Sequence, residues 1–498
     1  MKLKKLLPVV ALITFVCTAS SPADLTIHYD FGNGNVVPDG FGQLSDVKIL
    51  GGLSGLADID QVVTRLNLTT GTAGNPMYLG DLYSSLTFGQ TGETQKTAVL
   101  LNRPGRDDTH PFGSDFSSLN VTLDDSAIGT NVWGATTTTG TYNSDGRLGV
   151  DPNAAGVAFT GGSNSLTTLE GATFASNRVS LLVADFSGGG MATLSGWGVS
   201  VTGTAATTGS FAPGANASLS DNGTGATMVG AILNTSNETS GSLTINLAGT
   251  MTFSNGVIGT GGINKTGAGT LVLEGASSYT GPTSVGVGTL IATGNGSAAT
   301  GNVSISGAGT RLGGTGTIGG NTTISTGAIH SAGGVTVDKV GIQTFDKPAE
   351  ATTSLTYAAG SIFEWDINGN TKTQEGAGTM ESPYVFDQII GSGTLTVNET
   401  ADTGTIFRVI LGSGVDAEDG FWNTPNATRT WDNIFSGFGT VVGGFDSSNL
   451  QVVGSGLSGI GTFTISGTSL TWTAVPEPTS ALAGLLITAG LLRRRRKN

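Results

Sequence analysis

The stretch GGINKTGAGTLVLEGASSYTGPTSVGVGTLIATG, Gly261 to Gly294, decides the fold. It holds short apolar–Thr runs, Thr270–Leu273, Ser284–Val287 and Thr289–Ala292, each closed by a glycine. Runs this short build no thick core alone. Stacked as thin coils, each buries a few aliphatic side chains against the next. The same grammar extends outward through Leu243–Leu247, Met251–Phe253, Asn302–Ile305 and Thr322–Ile324. Thr204 to Val335 holds 30 glycines in 132 residues, five charged groups and no tryptophan. The pattern predicts a right-handed parallel β-helix-like solenoid over residues 204–335.

Within the quoted stretch, Lys265–Leu273 reads K-x-G-x-G-x-L-x-L and Tyr279–Thr283 reads Y-T-G-x-T. This unit resembles the autotransporter-associated β-strand repeat. The resemblance implies a rod or spacer in a surface-displayed protein. Two glycine patterns, at Gly314, Gly316 and Gly319 and at Gly454, Gly456 and Gly459, fit G-x-G-x-x-G. A dinucleotide site needs a strand before and a helix after; a solenoid offers no such helix, so both are glycine-rich coincidences.

Upstream, Asp24 to Gly203 has ordinary charge and aromatic content, with turn residues every 8 to 12 positions. Strands are expected at Val62–Leu68, Leu82–Phe88, Thr97–Leu101, Asn120–Leu123, Val179–Val183 and Gly198–Thr202, as in a sandwich. The phrases VVPDG (Val36–Gly40), YLGDLYSSLTFG (Tyr78–Gly89), TAVLLNRPGR (Thr97–Arg106), FSSLNVTLDDSA (Phe116–Ala127) and VSLLVADFSGGGMATLSGWGVSVTG (Val179–Gly203) follow in order. Together they resemble the P (Homo B) domain of subtilisin-like proprotein convertases. That family implies a jelly-roll β-sandwich and a supporting, non-catalytic role beside a protease. Asp107 with Asp108, and Asp124 with Asp125, offer adjacent carboxylates for a structural calcium, or read as solvated turn residues. Trp197 reads as core, and Trp133 as core or sheet edge.

Downstream, charge and aromatics return from Thr336, and residues 336–474 read as a C-terminal β domain capping the solenoid. In Ser361–Ile367, strand alternation puts Phe363, Trp365 and Ile367 on a buried face, and Glu364 and Asp366 on an outward polar one. Paired carboxylates also serve glycoside hydrolysis, but nothing else in the sequence marks a sugar cleft.

The two ends carry addresses. Met1 to Ala23 has Lys2, Lys4 and Lys5, an apolar run from Leu6 to Val16 and small residues to Ala23, the pattern of a secretory signal peptide. Cys17, the single cysteine, falls within it, so the remainder has no disulfide framework. Val475 to Asn498 reads VPEPTSALAGLLITAGLLRRRRKN. Pro476 and Pro478 flank Glu477 and close the folded part. An apolar helix is expected at 480–492, about 20 Å long against a hydrocarbon core of about 30 Å. Arg493, Arg494, Arg495, Arg496 and Lys497 then oppose translocation. This closely resembles the PEP-CTERM sorting signal of Gram-negative bacteria, which implies handling by an exosortase-type enzyme after the general secretory machinery and signal peptidase.

Formal charge is −14 for the whole sequence; without the two end segments 14 basic face 35 acidic residues, a net of −21. Such a surface disfavours nucleic acid. With no G-x-S-x-G, P-loop, H-E-x-x-H or Cys/His cluster, the expectation is an all-β, non-enzymatic, exported surface or matrix protein without cofactor. Its expected contacts are extracellular polysaccharide or other surface proteins. The alternative is a hydrolase or subtilisin-type protease accessory protein with an unrecognised site, whose hydrolysis would be lost on mutating Glu364 or Asp81.

Overall fold

A computed structural model describes residues 24–475 apart from short stretches at 72–76, 91, 107–108, 127–128, 148–163, 172–176, 206–208, 214–216, 222, 224–225, 229–230, 237–240, 335–339, 348–351, 375–383, 399–403 and 455. Asp107, Asp108, the leader and the tail from Pro476 therefore lie outside the described residues. Those described are almost all β.

The short runs of the quoted stretch become rungs. Ser242–Asn246, Gly262–Thr266, Thr283–Val285, Val303–Ile305 and Thr322–Ile324 pair in parallel, one above the next. A second wall runs in parallel from Ala226–Met228 through Thr270–Leu273 and Thr289–Ala292 to Leu450–Val453. A third runs from Asn295–Gly296 to Phe435–Ser436. Three parallel walls around shared columns of inward side chains make a solenoid. One column reads Ile245, Lys265, Val285, Ile305, Ile324, Tyr357 and Val397, and all seven are essentially fully buried.

The lysine in that column follows from the rung corner. Burial pushes Lys265 down, to about 8, yet its Nζ donates to the carbonyls of Thr266 at 2.8 Å, Gly267 at 2.7 Å and Val287 at 3.2 Å. One ammonium thus ties two successive rungs through three carbonyls and meets its own need for acceptors in an otherwise aliphatic column. Glycine is demanded at the corners that precede the first-wall strands Val303–Ile305 and Thr322–Ile324. A Cβ on Gly301 would meet the Gly281 carbonyl oxygen at 1.8 Å, and one on Gly320 would meet that of Gly301 at 1.8 Å.

The rungs do not stop near Thr336. Leu355–Tyr357, Thr394–Val397 and Thr440–Gly443 extend the first wall, and Ile362–Ile367 and Ile406–Leu411 extend the second. The expected boundary at 336 falls inside the stack, because its interior widens to take Phe363, Trp365 and Phe407 without changing the pairing. What closes the stack is smaller: an antiparallel sheet of Thr428–Trp431, Ser469–Ala474, Gly461–Gly467 and Phe445–Asp446. Trp422, Trp431 and Trp472 lie buried beneath it, with Trp422 stacked on Trp431 at 5.8 Å.

At the other end the first wall runs on into a two-sheet sandwich. Asp24–Val36 pairs antiparallel with the rung Ala217–Asp221 on one side and with Ala192–Thr204 on the other. Gln61–Thr70, Ser118–Asp124 and Thr139–Tyr142 complete that sheet, fourteen strands in all. The opposing sheet is Gly42–Ile49, Arg178–Asp185, Leu82–Phe88 and Lys96–Asn102. Sandwich and solenoid therefore share one continuous ladder.

Replacing Lys265 by Met keeps the aliphatic stem and removes the three donors. The expected loss is on the order of 3 kcal/mol, seen as a lower urea midpoint with little change in slope. Gly301→Ala is expected to cost at least as much, since the clash is with backbone.

Candidate functional site

The two carboxylates singled out in Ser361–Ile367 sit on the outward face as alternation requires, but they are not solvated. Glu364 is 7% and Asp366 6% exposed. Neighbouring rungs supply the cover. Arg408 Nη1 lies 2.7 Å from Glu364 Oε1, and Arg311 Nη2 holds the other oxygen. In register, Ser331, Glu364, Arg408 and Gln451 form one column, closed by Arg408 Nε donating to Gln451 at 3.0 Å. Glu364 is thus saturated by two guanidiniums.

Asp366 faces Asp387, which arrives on the return from the excursion after Ile367 and is fully buried. Asp387 accepts from the Gly341 amide at 2.8 Å and the Asp366 amide at 3.2 Å, while Ser331 Oγ donates to Asp366 at 3.1 Å. Burial pushes Asp366 up to about 6 against the lowering hydrogen bonds of Ser331 and Asp387, while burial and then the Asp366 carboxyl hold Asp387 well above its ordinary value. The pair pins the excursion to the wall through the Asp366 and Gly341 amides. The outward polar face expected from the sequence is corrected to a covered seam.

Asp81 is 4% exposed, and burial pushes it up to about 6, with Arg103 and Arg106 at 4.0 and 3.9 Å. Burial likewise raises Asp185 to about 7, with smaller contributions from Asp81 and Asp39. These groups converge at one end of the sandwich. Asp124 accepts from Gln61 at 3.0 Å and from Ser126 Oγ at 2.6 Å; Asp125 accepts from Ser144 Oγ at 2.6 Å and the Leu166 amide at 2.6 Å. Both thus tie loops, and among the described residues no three His, Cys, Asp or Glu side chains converge as a metal site. Trp197 is buried and donates to Asp46 at 2.8 Å; Trp133 is half-buried with the Arg147 guanidinium 5.5 Å from its ring. Gly314, Gly316 and Gly319 sit against the backbone of the preceding rung, with no helix following.

The feature that single-residue reading missed is the outer face of the first wall. Ser218, Thr244, Asn264, Ser284, Ser304, Thr323, Thr356 and Thr396 occupy one register position on eight successive rungs. All are half-buried or exposed, and all carry a hydroxyl or amide. At about 4.8 Å per rung the column runs about 34 Å. It continues onto the sandwich through His28, whose ring nitrogens lie 2.8 Å from Ser200 Oγ and 2.7 Å from Ser220 Oγ. Burial, then the nearby Arg65, holds His28 below its ordinary value, so it bridges as a neutral imidazole. The signal was available in the sequence as the middle residue of each short run, once the register is known.

A family profile described as passenger-associated-transport-repeat matches residues 263–292. Those residues are an autotransporter-associated repeat. The chain is also similar to the adhesin BmaC autotransporter of Brucella suis biovar 1 (strain 1330). They are 32% identical over 185 residues, covering 34% of this chain and 5% of that relative. The chain thus spans about a twentieth of the relative's length. No solved structure matches.

The raised carboxyls set a pH dependence. A carboxyl lifted in the folded state contributes stability that is full below its unfolded value near 3.8 and is lost as pH climbs through the folded value near 6. Asp366 accounts for at most about 3 kcal/mol of this. The urea midpoint is expected to fall between pH 4 and pH 7.5, and Asp387→Asn is expected to flatten that fall. An unchanged pH dependence in the variant counts against coupling of the two carboxyls.

Proposed function

We propose that this chain is a non-enzymatic, adhesin-like protein of the Gram-negative cell surface or its extracellular matrix. The observation that carries the reading is the parallel stack containing the autotransporter-associated repeat, joined to a sandwich through a shared ladder. A stack of rungs is a spacer by construction: length grows with rung number while each rung contacts only its neighbours. The similarity to an autotransporter adhesin supports a surface role. Against the hydrolase alternative, Glu364 is clamped by two arginines and Asp366 is covered.

Delivery follows from the two end segments. The leader directs general secretion and cleavage by signal peptidase. The Pro476–Glu477–Pro478 turn, the apolar run and the Arg493–Arg496 block act as a PEP-CTERM tail, held transiently in the inner membrane and processed by an exosortase-type enzyme. Among the described residues no helix is long and apolar enough to cross a membrane. The sandwich is a P/Homo B-like jelly roll that makes contacts, and the partner is extracellular polysaccharide or another surface protein. We include a structural calcium at Asp107 and Asp108 in this proposal; melting with and without calcium tests it.

Cell fractionation with mass measurement of the mature C-terminus tests the reading. The protein is expected outside the inner membrane, ending near Pro476–Pro478. Replacing Arg493 to Arg496 by Ala is expected to leave the tail uncut or the protein misplaced. Recovery from the cytosol with both end segments intact sinks the proposal.

A further inference from the structure

We propose that the outer face of the first wall, along the column from Ser218 to Thr396, docks an extended, uncharged polysaccharide chain lying lengthwise along the stack. The inference rests on the surface role proposed above and names where and what the rod binds.

Three observations select this occupant. The first is spacing. The column presents a hydroxyl or amide at every rung, about 4.8 Å apart, and an extended glycan presents hydroxyls once per sugar at a comparable repeat. Contacts recur along the column without an exact match of repeat, because each sugar carries several hydroxyls. Ser, Thr and Asn side chains both donate and accept, as sugar hydroxyls do.

The second is charge. Neither the column nor the positions flanking it at Asn246, Thr266, Asn302, Ser306 and Asn321 carry a charged side chain. The second wall differs, with Arg311, Glu364 and Arg408 on its outer side. A neutral ligand needs no counter-charge, whereas an anionic glycan or nucleic acid would find no cation on the column and a net charge of −14 on the protein.

The third is rigidity and shape. Short side chains on a hydrogen-bonded ladder lose little rotamer freedom when a ligand settles on them. Many individually weak contacts on one rigid face then add as linked sites do. A partner strand would instead pair at a sheet edge, which this face is not.

The test is pull-down of the full chain on microcrystalline cellulose and on chitin, with soluble alginate as the anionic comparison. Depletion from solution is expected on at least one neutral solid, unchanged in 1 M salt. Ser304→Arg with Thr323→Arg is expected to weaken it at least about tenfold, whereas Thr252→Arg on the outer side of the second wall leaves it unchanged. Circular dichroism and urea midpoints confirm that the variants fold, and Ser304→Ala with Thr323→Ala gives a milder loss should the arginines disturb the stack. Equal binding by the column variants, binding to alginate alone, or shaping of ice crystals without glycan binding overturns the inference. A surface-located protein that ignores every neutral glycan also overturns it while leaving the proposed function standing. Cytosolic recovery removes the function itself.

Discussion

Everything in this chain depends on one constraint: each rung must lie in parallel register on the one before it. A sequence with 81 glycines and 12% charged residues cannot surround a thick core, so it satisfies its backbone by pairing every rung above and below. Register then aligns inward positions into columns, and a column of small burials does the work of a core. The same constraint explains the composition. Where Gly281, Gly301 and Gly320 stack, there is no room for a Cβ. It also explains how a lysine occupies an aliphatic column, since the corner brings three carbonyls to its ammonium.

A stack has two ends, and each leaves unpaired backbone. The sandwich closes one of them by reversing strand direction, so that Leu25–Tyr29 runs antiparallel to Ala217–Asp221. His28 then reaches across to Ser200 and Ser220, tying rung to sandwich with side chains as well as backbone. The opposite end is closed by aromatic bulk. Phe445 packs on Phe407 at 5.1 Å, and the Trp422–Trp431–Trp472 group sits beneath the antiparallel sheet. That closure covers the interior but not the last strands: Val441 and Val452 continue the columns of Leu395 and Val409, yet are 48% and 46% exposed.

The rungs were legible because their grammar is local. Thr270–Leu273, Thr289–Ala292 and Thr322–Ile324 fall where the apolar–Thr runs end in glycine, and Leu82–Phe88 is bounded by its own turn residues. Beyond 336 that grammar fails although the stacking continues. Excursions such as the one between Ile367 and Gln388 break the period, and aromatic rings replace aliphatics, so composition mimics a new domain. The carboxylates of Ile362–Ile367 show the same limit. Alternation assigns Glu364 and Asp366 a side of the strand; whether that side is wet depends on Arg408 and Asp387, more than twenty residues away in sequence.

In-register stacking also constrains the outside of the walls. Identical residues on successive rungs stand about 4.8 Å apart, where two like charges cost about 0.9 kcal/mol even in water. A charged column must therefore alternate in sign, and the second wall does so where Glu364 lies in register with Arg408, with Arg311 reaching in from a neighbouring column. The first wall meets the same constraint with neutral hydroxyls and amides over eight rungs. Avoiding repulsion does not by itself demand this, since alternation was open to both walls. Solubility does not demand it either, because scattered Lys and Glu serve that better. Two walls of one stack with opposite solutions point to different surroundings: the second wall is partly covered by its own excursion at Asp387, and the first is left bare.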